Sequence, residues 1–172
     1  GKIDDISTDL ISIGVKPSFL KLGGFRVSHG EMLSNSKPDG VVVNSAVAQV
    51  FGKNKSSEMI GSEISFSFFI AKDVENVSDG TLQNEFEKVD YKKKYKIIGV
   101  IEGEDNVVFI NSESLGDLNI KKFSQVKLRC RSQSEMAVIR DIVLDKGLLV
   151  SSLSDTVDQA NQIFKIVQLV LM

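Results

Sequence analysis

The stretch QVKLRCRSQSEMAVIRDIVLDKGLLVSSL, residues 125–153, carries the clearest fold signal in the chain. Val126, Leu128 and Cys130 alternate with Lys127, Arg129 and Arg131, the period of two that a half-buried strand requires. This alternation sends the arginines beside Cys130 to the opposite face, so Cys130 is expected to be a small core residue rather than an activated thiol. Ser132 with Glu135 three residues on is a capping box, and Met136, Ile139 and Val143 follow as a helical stripe. Gly147 ends that helix and LLVSSL begins another strand. Strand, helix and strand with short joints predict a βαβ unit or an α+β relative of one.

Upstream, GVVVNSAVAQVFG (residues 40–52) has the same grammar. Val41 to Val43 form a short apolar strand, Ser45 is the expected helix N-cap, and Gly52 is the expected stop after Phe51. In DLISIGV, Ile11, Ile13 and Val15 share one strand face. In SEISFSFFI, Ile64, Phe66, Phe68 and Ile70 oppose Ser65 and Ser67. Phe69 falls on the serine face, which leaves it for a partner or another part of the chain.

Residues 63–110 hold strand pattern and no long helix. YKIIGVI (95–101) and VVFI (107–110), joined by the turn-forming EGEDN, predict a hairpin. Lys72 to Lys94 is charged and contains the turn pair Asp79-Gly80, so a long exposed excursion or hairpin arm is expected there, with Leu82 and Phe86 as its apolar contact residues. The arrangement predicted is α+β: a discontinuous α/β subdomain interrupted by a β-rich insert.

Composition narrows the function classes. The chain has 172 residues, 42% hydrophobic and 26% charged, enough for one ordinary domain or two small subdomains sharing a core. With 21 Lys and Arg against 23 Asp and Glu, the net charge of −2 offers no basic field for nucleic acid. A single cysteine makes no internal disulfide and leaves the redox compartment open. The segment GKNKSS lacks the first glycine of a phosphate loop, because Val47 stands in its place. In DVENVSDGTLQNEF, Val77 and Phe86 occupy positions where a calcium loop needs oxygen ligands. His29, the only histidine, has no second metal-binding residue beside it and is expected in a turn next to Gly30. Glu102, Glu104 and Asp105 offer paired carboxylates for acid–base work, but on a hairpin tip they read as a solvated turn. No cofactor, metal or catalytic set is expected.

The last helix, SDTVDQANQIFKIVQLVLM, changes character as it runs. Ser154 or Asp155 caps it, and Val157, Ala160, Phe164, Val167 and Leu171 repeat at spacings of three and four. Its polar face of Asp158, Gln159, Asn161, Gln162, Lys165 and Gln168 then runs out, leaving Leu169 to Met172 apolar all round. Two readings stay open: a helix passing from water into lipid, cut short of the ~20 residues a span needs, or a helix packed on its own sheet.

Together these stretches resemble the extracytoplasmic core domain of ABC-transporter permeases of the macrolide-exporter (MacB), lipoprotein-releasing and FtsX type. The resemblance is carried by SIGVKPSFLKLGGFRVSHGEML, VVVNSAVAQVFG with MIGSEISF, YKIIGVIEGEDNVVFIN and the closing TVDQANQIFKIVQLVLM, in family order. It implies a porter-like α/β subdomain (residues 1–60 and 120–162), an inserted sabre-like subdomain (61–119), and a membrane helix starting at 163–172, with another before Gly1. It further implies a cell-membrane protein with this domain on the extracytoplasmic face, a cytoplasmic ATPase acting through the membrane part, and a second permease copy or paralogue. The domain is then non-catalytic and relays motion, by mechanotransmission, to export peptides or drugs, extract lipoproteins or activate a cell-wall enzyme. The alternative is a free-standing soluble binding module whose last helix packs on its sheet.

Overall fold

The computed structural model describes residues 1–71, 86–118 and 122–152. The chain divides into two units, residues 1–127 and 128–172.

The first unit is built on one mixed sheet. Its strands are β1 (Lys2–Ile3), β2 (Ile6–Ser7), β3 (Ile11–Val15), β4 (Val27–Gly30), β5 (Gly40–Asn44), β6 (Glu63–Ala71), β7 (Phe86–Ile101) and β8 (Val107–Asn111). They lie in the order β2-β1-β6-β7-β5-β8-β3, with β4 also paired to β7. Strand β5 lies inside the sheet: its Val41, Val42 and Val43 are fully buried, as in a strand covered on both faces. Val41 and Val43 enter a core with Val47, Met59, Ile64, Tyr95 and Ile110. Val42 enters a second core with Val15, Leu20, Ile101 and Phe109. Helix α1 (Pro17–Leu22), opened by Pro17, supplies Leu20 to the second core; α2 (Ala46–Val50) and a 3₁₀ turn at Ser56–Met59 supply Val47 and Met59 to the first.

Strand β7 ties the sheet together. At about 3.3 Å per residue its 16 residues span roughly 50 Å. Residues 86–96 pair antiparallel with β6, and residues 99–101 pass between β4 and β5. A register shift at Ile98 resets the alternation, so Ile97 and Val100 both face the first core while Ile98 and Ile101 face the second. Gly99 and Gly30 face each other at the tightest point: a Cβ on Gly99 would stand 2.1 Å from the Glu31 carbonyl oxygen.

Several expectations are corrected. YKIIGVI and VVFI do not form a hairpin, because β5 lies between them, parallel to β7 and antiparallel to β8. The buried β5 takes the place between them, and the turn at residues 102–106 reaches over it. Ser45 does not cap α2 with its side chain; its hydroxyl donates to the Gly103 carbonyl (3.0 Å) and accepts from the Gly103 N–H (3.1 Å), fastening α2 to that turn. Gly52 does end the helix region in the left-handed conformation, at φ +67°. His29 stands in an edge strand rather than a turn, exposed, with Nδ1 3.2 Å from the Ser28 hydroxyl.

In the second unit, α3 (Gln133–Asp145) has the expected cap: the Glu135 N–H donates to Ser132 Oγ (3.2 Å), and Gly147 closes the helix at φ +74°. The Glu135 carboxylate accepts from the Arg131 N–H (2.9 Å), one residue before the box's usual donor. The flanking segments are not the predicted strands. Residues 122–131 and 148–152 carry no strand pairing, Val126 and Leu128 are exposed, and Cys130 is only half-buried. Alternation supplies a face; a strand also needs a neighbour to take its N–H and C=O groups, and among the described residues these segments have none.

Candidate interaction site

The β6–β7 pair is a two-faced arm. One face is an aromatic ladder: Phe66 lies 5.5 Å from both Phe68 and Tyr95, and Phe68 meets Tyr91 edge-on at 5.8 Å. Tyr91 and Tyr95 lie four residues apart and so share a face by the strand's alternation, which the two-residue register slip between Ser65 and Phe66 leaves unchanged. Both phenols donate to the Ser114 carbonyl, at 2.9 and 3.2 Å, and the Ser114 hydroxyl donates to the Asn111 carbonyl at 2.7 Å. Ser114 belongs to the 3₁₀ segment Ser112–Leu118 that follows β8, so two tyrosines on the arm are anchored to the central sheet.

These anchors set a pH dependence. Burial, with the neighbouring Tyr95 and Asp117, pushes the Tyr91 phenol up from its ordinary 10.0 to about 12, and burial also raises Tyr95. A phenol held neutral in the folded state contributes stability that is present below pH 10.0 and lost as pH climbs toward about 12. The chain has only two tyrosines. Spectrophotometric titration is therefore expected to show phenolate absorbance delayed relative to the unfolded chain, with Tyr91→Phe removing the most delayed step; phenolate appearing at the free-tyrosine pH contradicts the anchoring.

The other face of the arm points to water. Phe69 is 65% exposed and Phe86 60%. Phe69 pairs with Lys88 and Ala71 with Phe86, so the two rings are diagonal neighbours on one face where β6 ends and β7 begins. Below them, Ser67 donates to Asp90 at 2.6 Å and Lys88 lies 3.2 Å from it; the hydroxyl, then the ammonium, hold the Asp90 carboxyl below its usual range. Two exposed phenylalanines thus lie beside a row of hydrogen-bonded polar side chains. Leu82, the third residue expected there, lies outside the described residues. So do the expected membrane-coupling positions Val157, Ala160, Phe164, Lys165, Val167, Gln168 and Leu171.

The residues weighed for chemistry sit apart from this surface. Glu102, Glu104 and Asp105 occupy the β7–β8 turn, where Glu104 borders a cleft of about 400 Å³ with Ser45, Gln49 and Lys53. Among the described residues no three His, Cys, Asp or Glu side chains converge to hold a metal ion, and no helix is long and apolar enough to cross a membrane. The Tyr91–Ser114 anchor escaped the sequence, since nothing local links residues 23 apart on separate elements.

The mixed α+β architecture has counterparts among solved structures. Two solved structures share it. The periplasmic region of MacB from Actinobacillus actinomycetemcomitans matches 88% of this chain with a TM-score of 0.51 at 14% identity. The extracellular domain of the noncanonic ABC-type transporter YknZ from Gram-positive bacteria matches 86% with a TM-score of 0.55 at 12% identity. The chain spans 64% of the first structure's length and 71% of the second's. No protein-family model and no curated protein matches the sequence.

Proposed function

We propose that the chain is the non-catalytic extracytoplasmic domain of an ABC-transporter permease in the cell membrane, coupling cytoplasmic ATP hydrolysis to substrate export or partner activation by mechanical transmission. The observation that carries this is the fold likeness to the MacB and YknZ domains over most of the chain. On this reading residues 1–60 and 120–162 form the porter-like part and 61–119 the β-rich insert, while the helix from Asp155 runs into the membrane from Ile163. The ATPase acts through the membrane part, and a second permease copy or paralogue pairs with this domain. Phe69 and Phe86, exposed where β6 ends and β7 begins, are with Leu82 the contact residues for that partner or for the exported or activated one. The long β7, continuous from arm to central sheet, is the element that suits the arm to carry motion.

Sidedness tests this. Phe69→Cys in a Cys130→Ser background, in the full-length parent protein, is expected to react with a membrane-impermeant maleimide added outside intact cells or spheroplasts. Phe69 is exposed enough to react wherever the reagent reaches it. Labelling only after lysis would place the domain in the cytoplasm and overturn the proposal.

A further inference from the structure

A sheet edge left open is a template for another strand, and proteins usually blunt it with shortness, charge, proline or a bulge. Among the described residues, two of the sheet's edges are blunted in this way. β2 is two residues long and follows Asp4 and Asp5. β4 is broken between Val27 and His29 and closes on Gly30 at φ +78°. Within Ile11–Val15, β3 carries no charge, proline or bulge. Its five residues, ISIGV, run in unbroken parallel register with β8 from Ile11↔Val107 to Val15↔Asn111. Among the described residues β8 is its only strand partner and β3 ends the sheet order, so no described strand takes its outer row of N–H and C=O groups. Ile11, at the start of this edge, is 57% exposed.

The charge beside this edge has one sign. A groove of about 410 Å³ at the start of β3 is lined by Asp9, Leu10, Ile11, Glu104, Asp105 and Asn106. The Ile11 N–H donates to the Asn106 carbonyl at 2.8 Å, which fixes the β7–β8 turn with Glu104 and Asp105 against the edge. Asp9 also faces the Gly1 ammonium, and among the described residues none of the three carboxylates is held in a salt bridge.

We propose that the open edge of β3 accepts an extended basic segment of a partner protein, which adds to the sheet as a further strand and places its lysine or arginine side chains in the Asp9–Glu104–Asp105 groove. Main-chain hydrogen bonds to β3 hold the segment. The exposed Ile11 takes an alternate apolar side chain, and the three carboxylates select the charge. This docking is independent of the transporter reading, because it rests on the edge and the groove alone.

The probe is a blocked peptide of about six residues, an ordinary strand length, alternating valine with lysine and titrated into the 172-residue chain. Saturable binding with slowed amide exchange at Ile11–Val15 is expected. Asp9→Asn, Glu104→Gln and Asp105→Asn together should weaken it about tenfold, as should a salt increase. A peptide of the same sequence with alternate amides N-methylated leaves the protein untouched and should not bind, since it cannot complete the ladder. Equal affinity of the N-methylated peptide, equal affinity of a valine–glutamate peptide, or no saturable binding of the valine–lysine peptide would overturn the proposal.

Discussion

Tyr95→Ala is expected to remove about 3–5 kcal/mol of stability, the usual loss for truncating a buried aromatic and a large share of the 5–15 kcal/mol that an ordinary domain has. Tyr95 is 1% exposed and touches three things at once: the Phe66 ring at 5.5 Å, the Tyr91 ring at 6.3 Å and the Ser114 carbonyl at 3.2 Å. Truncation opens a cavity in the core shared with Ile64 and Ile97 and leaves the Ser114 hydroxyl without the phenol it now meets at 3.3 Å. Tyr95→Phe keeps the packing and loses only the hydroxyl, so about 1 kcal/mol is expected. Urea denaturation of both variants measures the difference. A loss below about 1 kcal/mol for Tyr95→Ala would mean that the cavity collapses and that the aromatic ladder does not fasten the arm to the sheet.

What could be read from the sequence was local, and what could not was the pairing of distant segments. Ile64, Phe66, Phe68 and Ile70 announce the inner face of β6, and the same pattern leaves Phe69 outside, where the structure has it. The Ser132–Glu135 cap and Gly147 bracket α3 for reasons contained within 16 residues, from Ser132 to Gly147. The hairpin at residues 95–110 failed because EGEDN reports a change of direction and says nothing of which strand fills the gap. That strand, β5, lies more than fifty residues earlier, and its claim to the centre comes from three consecutive valines that need cover on both faces. Ser45 failed in a similar way: a serine before a helix caps it by default, but here Gly103, 58 residues away, competes for both sides of the hydroxyl. Strands at 126–130 and 148–152 were over-read from alternation alone. The candidate surface was partly legible because an unpaired phenylalanine on a serine face has few uses; its anchoring through Tyr91 and Ser114 was not, because Ser114 lies 23 residues on in a separate element and nothing local links the two.

If the helix from Asp155 transmits force between membrane and outer domain, inserting glycines between Gln162 and Lys165 is expected to abolish export or partner activation while ATP hydrolysis continues. A helix passes on displacement only while its hydrogen-bond ladder is intact, and each interior glycine costs about 1 kcal/mol relative to alanine. Two or three in succession turn a rod into a joint. These positions lie outside the described residues, and among the described residues the cores of the first unit draw on none beyond Leu118, so the insertion should leave that unit folded. The tyrosine titration provides the internal check: an unchanged delay of phenolate formation shows the arm still anchored. The full-length permease with its ATPase in membranes is the system to use. Intact ATPase activity with lost output supports the lever. Undiminished output after the insertion, with the arm still anchored, would mean that motion enters this domain by another route, through a helix preceding Gly1.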